Sequence, residues 1–202
     1  ALPPLYPSRD EFRRLAADGN LVPVYAEVAA DLDTPLSAFL RLRPGPYAFL
    51  LESVEGGEKW ARYSFLGSEP SMVFTARGKR LTVRHADGRV EKLKAESPFI
   101  ALREILARFK PVAVPGLPRF QGGAVGFFSY DMVRHVEELP SLAKDDLKLP
   151  DAVFMFTDSL LVFDNLRHRL LVIGNAHITA RDTAALDRAY DEAVKRIEAI
   201  LD

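Results

Sequence analysis

Apolar and polar positions along the chain switch repeatedly between the two-residue period of a strand and the longer period of a helix. Ser8, followed three residues later by Glu11, reads as a capping box that opens a short helix stopped by Gly19. Leu21 to Val28 alternates as a strand. Asp33 or Thr34 then caps a second helix, with Pro35 at its first position, running to about Leu42. After the Gly45-Pro46 turn, Tyr47 to Leu51 is an almost continuous apolar run, the pattern of a buried strand. Gly56-Gly57 marks the next turn, and strands are expected from Ala61 to Gly67 and from Met72 to Ala76. Gly78-Lys79 and Asp87-Gly88 punctuate two hairpins whose further strands are Arg80 to His85 and Val90 to Lys94.

Ser97 with Pro98 starts a helix whose apolar positions, Phe99, Leu102, Ile105, Leu106 and Phe109, fall on one face. Pro111, Pro115 and Pro118 end it and make an extended connector. Phe120 to Tyr130 carries Gly122, Gly123 and Gly126 among apolar residues. Val153 to Phe163 and Leu170 to Ile173 are rich in strand formers and joined across the turn dipeptide Asp164-Asn165. A last helix, capped at Thr179 or Asp182, repeats Leu186, Tyr190, Ala193, Ile197, Ile200 and Leu201 at helical spacing. Hairpins interspersed with helices, rather than regular strand-helix alternation, predict an α+β fold of mostly antiparallel β-sheets with packed helices. No Ser/Gly-rich tract or charge run divides the chain, so residues 1–202 are read as a single domain.

Composition narrows the function classes. With 202 residues, 48% of them hydrophobic, the chain has material for a sizeable core. Lys and Arg number 27 against 28 Asp and Glu, with the signs interspersed, which offers no basic stripe for a nucleic acid. Cysteine is absent, which excludes disulfides, thiolate nucleophiles and Cys-based zinc sites. No run of 18 apolar residues occurs and no leader pattern opens the chain, so no membrane association and a cytoplasmic location are expected. The first residue is Ala1 rather than Met, read as a trimmed terminus.

Candidate chemistry is sparse. The histidines His85, His135, His168 and His177 have no short ligand spacing, so no metal site is expected. No Gly-x-Ser-x-Gly elbow accompanies the serines, and no catalytic residue is assigned. Asp145-Asp146 lies in a polar stretch read as a solvated loop. Gly122-Gly123-Ala124-Val125-Gly126 matches neither phosphate-binding pattern, and is read as a strand whose glycines permit a bulge or a close backbone approach. Phe49 and Phe65 are read as packing residues. Leu50-Leu51-Glu52-Ser53 remains: two leucines followed by a carboxylate and a hydroxyl form a plausible edge for a small molecule with a ring and charged groups. Arg62 is placed to pair with Glu52 or another acid.

Three segments together carry a family resemblance: Leu50-Leu51-Glu52-Ser53, Arg62-Tyr63-Ser64-Phe65-Leu66-Gly67, and Gly122 to Asp131 with its Gly-Gly-Ala-Val-Gly-Phe-Phe-Ser-Tyr-Asp run. With Leu149-Pro150-Asp151-Ala152 and the strand from Asp158 to Asp164, they resemble the N-terminal region of the anthranilate synthase large subunit, in the same order and over most of the chain. The resemblance implies a parent enzyme that converts chorismate and glutamine-derived ammonia to anthranilate and pyruvate, in partnership with a glutamine amidotransferase subunit. It also implies that chorismate and Mg²⁺ bind in a C-terminal chorismate-binding domain that this chain lacks. The chain itself then needs no cofactor and is expected to be inactive alone. Its implied role is feedback inhibition by L-tryptophan. Leu51, Glu52 and Ser53 match the element that contacts the inhibitor, and Arg62, Tyr63 and Ser64 match the neighbouring segment. The alternatives are the corresponding region of the aminodeoxychorismate synthase large subunit, or a subunit-docking module that binds no ligand.

Overall fold

The computed structural model describes residues 2–42, 45–52, 62–140 and 144–202. In chain order the described residues form β1 (Leu5–Tyr6), α1 (Arg9–Leu15), β2 (Leu21–Ala29), α2 (Pro35–Arg41), β3 (Ala48–Leu51), β4 (Tyr63–Ser68), β5 (Met72–Arg77), β6 (Arg80–His85) and β7 (Val90–Leu93). There follow α3 (Pro98–Leu106), β8 (Gly123–Phe128), a 3-10 turn at Tyr130–His135, β9 (Ala152–Thr157), β10 (Ser159–Asp164), β11 (Arg169–His177) and α4 (Thr183–Leu201). The α+β class with antiparallel strand pairing holds. Within that class the chain divides into two compact units: Ala1–Pro70 with Phe109–Gly123 and Thr157–Asp202, and Ser71–Arg108 with Ala124–Phe156. Both units are discontinuous, and the chain passes between them after Pro70, Arg108, Gly123 and Phe156. Four short passages need no linker of special composition, which is why none shows in the sequence.

The helices begin where the capping residues place them. Ser8 Oγ accepts from the Glu11 amide, and Ser97 Oγ from that of Ile100, each replacing a bond the first turn lacks. Thr34 and Ser37 form the reciprocal box, each hydroxyl accepting from the other's amide at 3.1 and 3.0 Å. Of the two candidates for the last helix, Asp182 is the cap, accepting from Ala185 at 2.9 Å.

The first unit is built on a six-stranded sheet in the order β1-β2-β11-β10-β4-β3. One face packs Val22, Val24 and Ala26 of β2, Val172 and Ala176 of β11, Leu161 and Phe163 of β10 and Leu66 of β4 against α1 and α4. Helix α4 presents Leu186, Ala189, Tyr190, Ala193 and Ile197 to that core, the stripe its spacing predicts. It lies close over β11 because position 174 is glycine: a Cβ there would stand 2.5 Å from the Ala193 carbonyl oxygen. Strand β3 departs from expectation. It is an edge strand, with Phe49 buried but Leu51 46% exposed, because among the described residues β4 is its one neighbour in the sheet.

The second unit holds a five-stranded sheet in the order β7-β6-β5-β9-β8, with both expected hairpins in place. In α3 the buried side chains are Pro98, Ala101, Leu102 and Ile105, whereas Phe99 and Leu106 of the expected stripe are over a third exposed. The Phe99 ring packs instead on Phe128, 4.8 Å away, and Phe128 on Phe154. The apolar stretch Val153 to Phe163 is two strands, β9 and β10, which belong to different sheets and part at Asp158. No glycine or proline punctuates that stretch, and the polar triplet Thr157-Asp158-Ser159 is the mark the sequence carries at the change of partner.

The glycine cluster has the close-approach role expected of it. A Cβ on Gly126 would lie 1.9 Å from the Val153 carbonyl oxygen and 2.7 Å from Phe154 Cα, both backbone atoms that have nowhere to move. Gly126→Ala is therefore expected to cost about 1–3 kcal/mol or more by overpacking the β8–β9 pair. A urea denaturation curve with a lowered midpoint checks it.

Candidate functional site

The candidate site lies in the first unit, on the sheet face turned away from α4. Register fixes who faces whom: Leu50 stands opposite Leu66, and Leu51 opposite Phe65. Directly opposed residues share a face, and neighbours along a strand alternate. Leu50 and Leu66 therefore join the helix-covered core, as their packing confirms. Leu51, Phe65 and Tyr63 share the other face. There the rings of Tyr63 and Phe65 lie 6.0 Å apart, and Phe120 from the Pro-rich connector meets Phe65 edge-on at 5.4 Å. The result is a half-buried aromatic surface bordered by the exposed Leu51 side chain. Glu52, exposed, follows at the end of β3. Ser53, with Gly56-Gly57 and Ala61, lies outside the described residues.

Arg62 and Ser64 are placed differently from Leu51 and Tyr63. Ser64 is buried on the α4 side of β4, opposite Phe163, and its hydroxyl accepts from the Asn165 side-chain amide at 3.4 Å. The Arg62 guanidinium is gripped from one side by Asp164, Nε to Oδ1 at 2.9 Å and Nη2 to Oδ2 at 2.8 Å. Its carbon centre stands 4.8 Å over the Tyr63 ring, a cation-π arrangement. Thus Arg62 does pair with an acid, and that acid is Asp164.

Asp164 is fully buried and ends β10, directly opposite Tyr63 on one side and Arg169 on the other. Arg169 Nε reaches the same carboxylate at 3.3 Å, and Arg169 Nη1 donates on to Glu27 of β2. Burial alone pushes the Asp164 carboxyl up, but hydrogen bonds and charge from Arg62 and Arg169 outweigh it and hold the group below the ordinary carboxylate value. A charge-assisted chain, Arg62–Asp164–Arg169–Glu27, thereby crosses from the start of β4 to β2. The turn adds a backbone grip, the Asn165 amide donating to the Arg62 carbonyl at 2.8 Å.

Sequence reasoning missed three contributors here. The sequence marks Phe65 as a packing residue, Phe120 as the start of the glycine-containing stretch, and Asp164 as part of a turn dipeptide. Only the period-two relation of Tyr63 to Phe65 could have flagged the surface. Elsewhere, His177 pairs with Asp158 and His85 with Glu91, both at 2.8 Å, and His168 occupies the exposed hairpin turn. Asp145-Asp146 is exposed, as a solvated loop should be. Among the described residues no three His, Cys, Asp or Glu side chains come together as a metal site, and no helix is long and apolar enough to cross a membrane.

A family model described as chorismate binding enzyme matches residues 47–199, and the chain belongs to that family. Within it, the chain is 44% identical over 195 residues to anthranilate synthase component 1 of Acetivibrio thermocellus, covering 96% of this chain and 38% of that protein. It is 39% identical over 198 residues to anthranilate synthase component 1 of Pseudomonas putida, covering 96% of this chain and 39% of that one. The crystal structure of anthranilate synthase component I from Streptococcus pneumoniae TIGR4 superposes with a TM-score of 0.51 at 27% identity, over 85% of this chain and 36% of that chain. The resemblance carried by the sequence motifs is thus matched in relatives and in fold, and the chain spans under two fifths of the length of these relatives.

Proposed function

We propose that this chain is the N-terminal, L-tryptophan-sensing region of an anthranilate synthase large subunit. The observation that carries the reading is the Leu51–Phe65 pair, flanked by the Tyr63 and Phe120 rings and followed by the exposed Glu52. Half-buried aromatic faces suit an indole, and a carboxylate suits an ammonium group. Arg62 is engaged by Asp164, so the reading rests on Leu51, Glu52, Ser53 and Tyr63 for contact. Ser64, on the opposite face, supports the strand.

The full-length cytoplasmic enzyme would convert chorismate and ammonia to anthranilate and pyruvate, taking the ammonia from a glutamine amidotransferase subunit. Chorismate and Mg²⁺ would bind in its C-terminal domain. Tryptophan inhibits such an enzyme only by binding one arrangement of these parts better than another. A preference of about 3 kcal/mol shifts that equilibrium more than a hundredfold. The relatives reported above carry the anthranilate synthase name, which supports this reading over aminodeoxychorismate synthase.

Calorimetry of L-tryptophan with the full-length protein tests it. Saturable binding is expected, weakened at least tenfold by Glu52→Ala, which removes the charge facing an ammonium. A Ser53→Phe variant is expected to lose tryptophan sensitivity. Absence of binding to the parent would leave the docking-module reading in its place.

A further inference from the structure

The aromatic surface is held by a device that none of its ring atoms supplies. Tyr63 is the first residue of β4, and its backbone is set by pairing with Asp164 of β10 and by the Asn165 amide on the Arg62 carbonyl. Its ring is met by the side chain of the preceding residue. Arg62 offers a rigid planar fork, and Asp164 receives it with both oxygens while the same guanidinium covers the Tyr63 ring. Asp164 has no exposed surface and cannot turn away to water. Arg169, 15% exposed, closes the other side of the carboxylate and is anchored by Glu27. Each member except the last has a partner on both sides.

We propose that Asp164 and Arg169 are positioning residues for the ligand site, acting through Arg62 to fix the Tyr63–Phe65 surface, and that Arg62 itself serves as the clamp and not as a ligand contact. This rests on the reading of that surface as the tryptophan site. A ligand spread over the rings meets Tyr63 at the angle that Arg62 imposes. Loosening any link upstream lets the ring move and costs affinity without removing a contacting atom. The geometry also explains why an arginine is needed at position 62: lysine carries the charge but cannot span both carboxylate oxygens.

The test is L-tryptophan affinity, measured by calorimetry on the full-length protein well below the unfolding transition of each variant. Arg62→Ala and Asp164→Asn are each expected to weaken binding about tenfold, the worth of one charge-assisted hydrogen bond. The double variant is expected to be no weaker than either single one, because both remove the same link. Adding free guanidinium ion at a non-denaturing concentration is expected to restore affinity in Arg62→Ala and not in the double variant. A general loss of structure would not be repaired by a denaturant. Unchanged affinity in Asp164→Asn beside weakened binding in Arg62→Ala would overturn the proposal and make Arg62 a direct ligand contact. Unchanged affinity in both would overturn it as well. A parent protein that binds no tryptophan would instead fail the reading of the site, and the positioning role would fall with it.

Discussion

Asp164→Ala is expected to lower folding stability by about 3 kcal/mol, the lower end of the cost of breaking a buried ion pair. The carboxylate is wholly buried, and its removal leaves Arg62 without its acid and Arg169 with Glu27 alone. Arg62 and Arg169 are 28% and 15% exposed, however, and water reaches each of them in part, which keeps the cost from rising further. Urea unfolding should show a lowered midpoint with little change in slope. Acid tests the same network with a fixed sign. The folded carboxyl is held below its unfolded value, so its contribution is complete above about pH 4, where unfolded aspartate ionises. It is lost as pH falls through the folded value. Wild-type stability should therefore decline more steeply below about pH 4 than that of Asp164→Asn, which has no proton to take up.

Phe12→Ala is expected to cost about 3–5 kcal/mol, the range for an aromatic truncated in a closed core. Phe12 is 0% exposed, and its ring meets Tyr190 of α4 edge-on at 5.2 Å. Tyr190 cannot swing in to fill the space. Its hydroxyl donates to the Pro7 carbonyl at 3.1 Å and Arg9 stands 4.6 Å over its ring. The cavity therefore stays open, which places the variant toward the upper part of that range. Thermal unfolding should shift by many degrees, and Tyr190→Phe, which keeps the ring, should shift far less.

Local signals in the sequence were reliable where one residue decides the matter. Thr34, Pro35, Ser97 and Asp182 start helices because a side-chain oxygen or a missing amide acts within one turn. Asp87-Gly88 makes a hairpin turn for the same reason: Gly88 has a positive φ of 87°. What the sequence hid was non-local. Tyr47 to Leu51 has the composition of a buried strand, yet burial depends on how many neighbours a strand acquires, and among the described residues β3 acquires β4 alone. The Leu102–Ile105 part of the α3 stripe is buried and the Phe99 end is not, since Phe99 finds Phe128 instead.

The proposed site was legible in the same uneven way. That Leu51 and Tyr63 share a sheet face follows from strand alternation once the register is known. Asp164 could not be picked out, since an aspartate in a turn dipeptide is ordinary until the register sets it between Tyr63 and Arg169. Ser64 enters beside Tyr63 through the family resemblance, and the pleat places the two on opposite faces of β4.

The strand order of the first sheet has a consequence for how the polypeptide is made. β10 and β11, residues 159–177, lie between β2 and β4 and give each of them its inner partner. During synthesis the β1–β2 and β3–β4 pairs leave the ribosome long before those central strands exist. Until then both pairs expose an apolar strand with unmet backbone amides, the form most open to wrong partners. Nascent chains halted before residue 159 should therefore depend on chaperones, and release from them should follow the emergence of the β10–β11 hairpin.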